Sequence, residues 1–248
     1  NLAKDISPIL ATFSSDITLD GELFAKVKDV YDSLANLNLS AEQRTLVEKT
    51  YRDFVRNGAL LDDEKKSKLR EIDQQLSILG PQFSDNVLKA TNAFELIIED
   101  QKQLDGIPES SIEGAKIAAS EKGLGENKWL FNLQAPSFLP FLKFANNRSL
   151  REKLWKAFVS RAYKDEFDNQ ENIKSIIKLK YERAQLLGFS THADFVLQER
   201  MAENPKKVLS FLDSLLAPSK KAAESELQEI KNFACKLGHS DELASWDI

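Results

Sequence analysis

Leu69, Ile72, Leu76, Leu79 and Phe83 recur at alternating spacings of three and four residues. This is the a/d rhythm of a helix that packs along another helix. The periodic stretch runs from Asp63 to about Phe94 and is the longest in the chain. It predicts a mainly α fold, a multi-helix lobe in which long helices run nearly antiparallel at a shallow angle. Pro81 lies inside the stretch, removes one amide and crowds the preceding turn, so a kink or a split near Leu79-Gly80 is expected.

Most other segments share the helical period. Leu23, Val27, Val30, Tyr31 and Leu34 form one stripe between Leu19 and Leu37. Ser40-Ala-Glu-Gln43 reads as a capping box, with Ser40 bonding the amide three residues on and Gln43 reaching back. That helix should stop near Asn57-Gly58, and Asp62 or Asp63 should begin the next. Further helices are expected at about 138–146, 149–163, 170–187, 191–201 and 205–237. Ile173, Ile176, Ile177, Tyr181, Ala184 and Leu187 would form one apolar face. Val208, Leu212, Leu215, Leu227, Ile230, Ala234 and Leu237 would form another, with a kink at Pro218. Helix should account for about 70–75% of the chain, twice the usual share.

The period changes twice. Phe94-Glu-Leu-Ile-Ile-Glu99 and Lys128-Trp-Leu-Phe-Asn-Leu133 are short, aromatic or β-branched, and bounded by turn residues, so they read as a two-stranded β-ribbon. Between them Pro108 to Glu121 should be helical, with Pro108 at its first turn and Gly123 past its end. The expected organisation is an N-terminal helical hairpin region over 1–100 and a second helical region with the ribbon over 101–248.

A chain of 248 residues, 42% hydrophobic and 29% charged, is too apolar for disorder and too charged for a membrane protein. The net charge of −5 comes from interspersed Lys, Arg, Asp and Glu, so no basic stripe points to nucleic acid. No apolar run reaches the roughly 18 residues that span a bilayer. Cys235 is the lone cysteine, which excludes an intrachain disulfide and fits a reducing, cytoplasmic compartment. Asn1 is not a natural start, so a missing leader is compatible with the sequence.

The search for chemistry gives little. His192 and His239 have no ligand partner at the three- or four-residue spacing that zinc helices use. Cys235, between Ala234 and Lys236, reads as a small core residue. Asp62-Asp63, Glu226/Glu229 and Asp194/Glu199 read as solvated carboxylates. Lys65-Lys66, Lys206-Lys207 and Lys220-Lys221 read as wet helix faces. Asn38-Leu-Ser40 and Asn147-Arg-Ser149 match the glycosylation tripeptide, a pattern short enough to arise by chance. No G-x-S-x-G, Walker A or G-x-G-x-x-G occurs. No catalytic, cofactor-binding or metal residue is therefore assigned within 1–248. On these residues alone, a helical scaffold or adaptor without enzymatic activity is the better reading.

A resemblance reverses that preference. Arg183-Ala-Gln-Leu-Leu-Gly-Phe189, Ala193-Asp-Phe195, Met201-Ala-Glu-Asn-Pro205 and Val208-Leu-Ser-Phe-Leu212 follow one another in order. Upstream lie Tyr51-Arg-Asp-Phe-Val-Arg-Asn-Gly-Ala59, Phe83-Ser-Asp-Asn-Val-Leu88, Ala90-Thr-Asn-Ala-Phe94, Leu104-Asp-Gly-Ile-Pro-Glu109, Pro136-Ser137, Asn147-Arg148 and Leu150-Arg-Glu152. The ordered set resembles the zinc oligopeptidases, the thimet oligopeptidase and bacterial dipeptidyl carboxypeptidase family, from about residue 20 onward. The fit is best to the dipeptidyl carboxypeptidase branch.

The resemblance implies two mainly helical halves with a channel between them that admits only short peptides. It also implies one zinc held by H-E-x-x-H and a downstream Glu, with zinc-bound water attacking the peptide carbonyl. The sequence ends at Trp246-Asp247-Ile248 without that motif. The expectation is thus an N-terminal, non-catalytic lobe, inactive alone, whose partner is a zinc-bearing C-terminal half beyond residue 248.

Overall fold

The computed structural model describes residues 2–248, of which 69% are helical. Among the described residues, ten α-helices accompany one two-stranded antiparallel sheet. The chain divides into two compact units, one of residues 1–83 and 171–211, the other of 84–170 and 212–248. Each is built from segments distant in sequence.

The first unit contains α1 (Leu2–Thr18), α2 (Gly21–Asp32), α3 (Ala41–Arg56), the start of α4 (Asp63–Ala93), nearly all of α8 (Gln170–Leu186) and α9 (His192–Leu197). The capping box forms as the sequence indicates: the Gln43 amide donates to Ser40 Oγ at 3.2 Å, and the Ser40 amide donates to Gln43 Oε1 at 3.0 Å. Gly58 ends the turn after α3 with φ +96°, and a Cβ there would lie 2.7 Å from Leu69 Cδ2. Only glycine fits both the left-handed backbone and the packed leucine. The buried centre comprises Leu19, Phe24, Leu34, Leu69, Ile72, Leu179 and Ala184.

On α2 the buried position is Phe24, whereas Leu23 and Val30 of the expected stripe are exposed. Phe24 stacks on Tyr51 and Phe54, and Tyr31 stacks on Tyr51 at 3.9 Å, which turns α2 toward the aromatic side of α3. Lys66, expected on a wet face, is buried, with Nζ 3.3 Å from the Leu19 carbonyl it bonds.

α4 is unbroken through Pro81, so the split near Leu79-Gly80 does not occur. A bond from Asn172 Nδ2 to the Leu79 carbonyl, 3.2 Å, ties the helix to its neighbour two residues before the proline. Arg183 Nε donates to Asp73 Oδ1 at 2.6 Å. Ascending α8 from 172 to 183 thus descends α4 from 79 to 73, the antiparallel arrangement expected for the long helix. The apolar face expected on α8 is buried only in part: Ala184 is buried and Ile176 and Leu187 are half-buried, whereas Ile173, Ile177 and Tyr181 are exposed. Asn172 and Leu179, which lie outside that face, are buried as well.

The second unit, residues 84–170 and 212–248, gathers the end of α4, the ribbon and the helices around it. β1 (Leu96–Ile98) pairs with β2 (Trp129–Phe131) in the register Leu96↔Phe131, Ile97↔Leu130, Ile98↔Trp129, within the two expected segments. α5 (Glu109–Glu121) follows Pro108, and α6 (Ala135–Phe144) and α7 (Arg148–Val159) complete the support. A two-stranded ribbon is marginal in water, and here it is buried against helices. Phe131 meets Phe141 edge-on at 4.7 Å, Phe138 stacks on Phe158 at 4.1 Å, and Leu96, Ile98 and Leu154 fill the remainder. Gly106 closes the turn before α5 with φ +85°, where a Cβ would lie 2.3 Å from the Phe144 carbonyl oxygen.

α10 (Pro205–Lys236) is continuous through Pro218 and buries none of its residues. Among the described residues no helix is long and apolar enough to cross a membrane.

Candidate functional site

The residues with chemical potential are dispersed and locally engaged. His192 begins α9, where Thr191 Oγ1 caps the helix by accepting from the Asp194 amide at 3.1 Å. Burial first, then the nearby Lys180 and Arg183 charges, hold the His192 pKa below its usual value, so the ring is neutral at pH 7. His239 lies in the turn after α10, in a shallow groove of about 300 Å³ lined also by Cys235 and Asp241. Cys235 is exposed, not the core residue expected. It lies about 100° around the helix from Ala234, and α10 has no core to enter.

The paired carboxylates are tied up or solvated. Asp194 accepts the Thr191 hydroxyl at 2.7 Å, Glu199 pairs with Arg52 at 3.1 Å and Asp62 pairs with Lys65 at 2.8 Å. Glu226 and Glu229 are exposed. Asn147, within one glycosylation tripeptide, is the α7 cap: its Oδ1 accepts from the Leu150 amide and the Ser149 hydroxyl. Among the described residues no group of three or more His, Cys, Asp or Glu is placed to hold a metal ion. The zinc implied by the resemblance does not fit the donors of residues 2–248.

A second assembly of charged groups surrounds Asp247, in the second unit. Its side chain is only 4% exposed. Arg148 grips the carboxylate in parallel fashion, Nε to Oδ1 at 3.0 Å and Nη2 to Oδ2 at 2.8 Å. Arg151, one helical turn on, donates Nη2 to Oδ1 at 2.9 Å, and the Ala244 amide donates to Oδ2 at 3.0 Å. Burial opposes the charge, but the bonds from Arg148, the Ala244 amide and Arg151 outweigh it and lower the Asp247 pKa to about 2.

The guanidiniums also bind backbone. Arg151 Nε donates to the Trp246 carbonyl at 2.8 Å and its Nη1 to the Ala145 carbonyl at 2.7 Å. Trp246 packs on Trp155 with ring centres 5.5 Å apart, beside Arg148 and Lys156. Trp246 is thus packed on α7 through Trp155. With its oxygens all engaged, Asp247 is a clamp that fastens the segment after α10 to α7, not an acid or base. Sequence reasoning quoted Arg148, Arg151 and Trp246-Asp247 without joining them. The available signal was two arginines three apart on a capped helix, together with one carboxylate beside a tryptophan.

The remaining feature is the apolar face of α10. Leu209, Phe211, Leu212, Leu215, Leu216, Leu227, Ile230, Phe233 and Leu237 are 37–72% exposed.

Comparison with known proteins agrees with the ordered motifs. The profile of Peptidase family M3 matches residues 141–248. Oligopeptidase A of Haemophilus influenzae is 37% identical over 97% of this chain, which covers 36% of that protein. Oligopeptidase A of Escherichia coli is 35% identical over the same share. Dipeptidyl carboxypeptidase of Escherichia coli is 34% identical over 99% of this chain, again 36% of its own length. The chain thus spans about a third of the curated relatives it matches, and the identities do not single out the dipeptidyl carboxypeptidase branch. Likeness over nearly the whole chain, with the motifs in order, places it in peptidase family M3, among the oligopeptidases and dipeptidyl carboxypeptidases.

Proposed function

We propose that residues 1–248 form the N-terminal, non-catalytic lobe of a zinc metallopeptidase that hydrolyses short peptides, and that they wall one side of its substrate channel. The observation that carries this reading is the 37% identity to oligopeptidase A over 97% of the chain. The catalytic donors would come from the C-terminal part of such an enzyme, since residues 2–248 lack a donor set for zinc. Within this lobe the side chains serve architecture: α4 against α8 in one unit, and the buried ribbon with the Asp247 clamp in the other. Alone, the lobe is expected to be inactive. A helical adaptor without enzymatic activity is the competing reading, and the open apolar face of α10 is what favours it.

A hybrid separates the two. The chain replaces the segment of Escherichia coli oligopeptidase A that it matches, and cleavage of short peptides is assayed with and without chelator. A lobe of the same enzyme class restores chelator-sensitive cleavage. A folded, zinc-loaded hybrid that cleaves nothing would favour the adaptor.

A further inference from the structure

We infer that the groove beside Arg161, in the second unit, is a subsite for a glutamate side chain of a bound short peptide. The peptide as ligand follows from the proposed function, on which this site depends; the acidic preference comes from the groove itself. Arg161 follows α7, and its guanidinium lies on the Phe158 ring with Cζ 3.7 Å from the ring centre. Nε donates to the Phe158 carbonyl at 2.8 Å and Nη1 to Thr91 Oγ1 at 3.0 Å. Thr91 is buried and is itself fixed, since its hydroxyl donates to the Val87 carbonyl at 2.7 Å. The guanidinium is thus held in one plane before any ligand arrives. Both of its acceptors are uncharged. Arg148, Arg151 and Arg183 spend their charge on Asp247 and Asp73, whereas among the described residues no carboxylate pairs with Arg161. Of the five N–H donors two are used, and both on Nη2 remain for a ligand. A planar, charged and preorganised fork of this kind recognises a carboxylate.

The groove has a volume of about 450 Å³, within the range of ligand pockets. Ala90, Phe94, Leu133 and Ala157 give it an apolar wall. None of these side chains can bond a main-chain amide, so a peptide backbone, with or without its terminal carboxylate, would enter with unsatisfied groups. A glutamate side chain enters alone: its methylenes lie on the apolar wall and its carboxylate meets the guanidinium. The rim is built to hold its shape. Ala162 and Lys164 adopt left-handed backbone, φ +55° and +57°, which is uncommon without glycine. The Ala162 amide donates to Asp165 Oδ2 and the Phe167 amide to Asp165 Oδ1, both at 2.8 Å. The Asn169 amide returns to the Ala162 carbonyl at 2.9 Å. Backbone held in sparsely populated conformations by its surroundings is concentrated at binding sites. Asp165 is occupied in folding this loop, which leaves exposed Glu166 as the rim carboxylate that opposes an acidic ligand.

The test titrates acetyl-Ala-Ala-Glu-Ala-Ala-amide and its glutamine counterpart into this chain by calorimetry. The glutamate peptide should bind about tenfold more tightly, the size of one charge-assisted bond. Arg161→Gln should abolish that preference, with the melting temperature as the check on folding. Glu166→Gln, at an exposed rim position outside the bonds that shape the loop, should widen the preference, and it decides the matter where Arg161→Gln does not fold. Equal binding of the two peptides, a preference unchanged in folded Arg161→Gln, or no change in Glu166→Gln would overturn the inference. So would acetyl-pentaalanine with a free C-terminal carboxylate binding as tightly as the glutamate peptide, since the ligand would then be a chain end. Binding is read apart from cleavage. Discrimination by this chain alongside a zinc-loaded oligopeptidase A hybrid that cleaves nothing would count against the proposed function alone, and a hybrid that cleaves while this chain binds both peptides equally would count against the site alone.

Discussion

Arg148 meets Asp247 across 99 positions of sequence with two parallel hydrogen bonds, Nε to Oδ1 at 3.0 Å and Nη2 to Oδ2 at 2.8 Å. The carboxylate is buried and accepts from Arg151 and the Ala244 amide as well. Asp247→Asn keeps the shape and removes the charge, leaving two guanidiniums without their counter-ion. The expected cost is about 1.5–3 kcal/mol, the range for hydrogen bonds to a charged group. Urea unfolding followed in the second unit, through the Trp155–Trp246 pair, measures it.

The same pair sets a pH dependence. The Asp247 pKa is lowered in the folded state from 3.8 to about 2, so on acidification the unfolded chain takes up this proton first. The stabilisation is present in full above pH about 4 and is lost as pH falls toward 2. Stability measured across that window should fall less steeply for Asp247→Asn than for the unaltered chain.

Backbone geometry makes Gly106 the most sensitive glycine. A Cβ there would sit 2.3 Å from the Phe144 carbonyl oxygen, on a backbone with φ +85°. Gly106→Ala should destabilise the ribbon unit by about 2 kcal/mol or more, because strain and close approach act together. Gly114→Ala, which meets nothing within 4 Å in the middle of α5, should be neutral or slightly stabilising by helix propensity. Thermal unfolding of the two variants side by side checks the contrast.

Core truncations should rank by burial. Leu69 and Ile72 are almost fully buried, and each change to Ala should cost about 2–5 kcal/mol. Leu76, one turn further along the same a/d series, is half-buried and should cost less. Equal losses at Leu69 and Leu76 in denaturant titrations would contradict this ranking.

Local signals in the sequence were read well because their physics is local. The Ser40–Gln43 capping box, the Gly58 stop and the two ribbon segments each depend on residues within a few positions of one another. Choosing a buried face was harder where a helix carries apolar residues on two sides. In α8, Ile173, Ile177 and Tyr181 of the apolar stripe are exposed, while Ala184 of the same stripe and Leu179 outside it are buried, with Asn172 and Arg183 bonding to α4. In α2, stacking on Tyr51 and Phe54 selected Phe24 over Leu23. The Asp247 clamp joins residues nearly 100 positions apart, and periodicity carries no information at that range.

The central claim, that this is the non-catalytic lobe of a family M3 peptidase, is tested most directly by metal content and cleavage measured on one sample. The purified chain is dialysed against buffer with trace zinc, analysed for bound metal, and assayed with an internally quenched short peptide with and without chelator. The prediction is no stoichiometric zinc and no chelator-sensitive cleavage. One tightly held zinc per chain, or cleavage that a chelator abolishes, would contradict it.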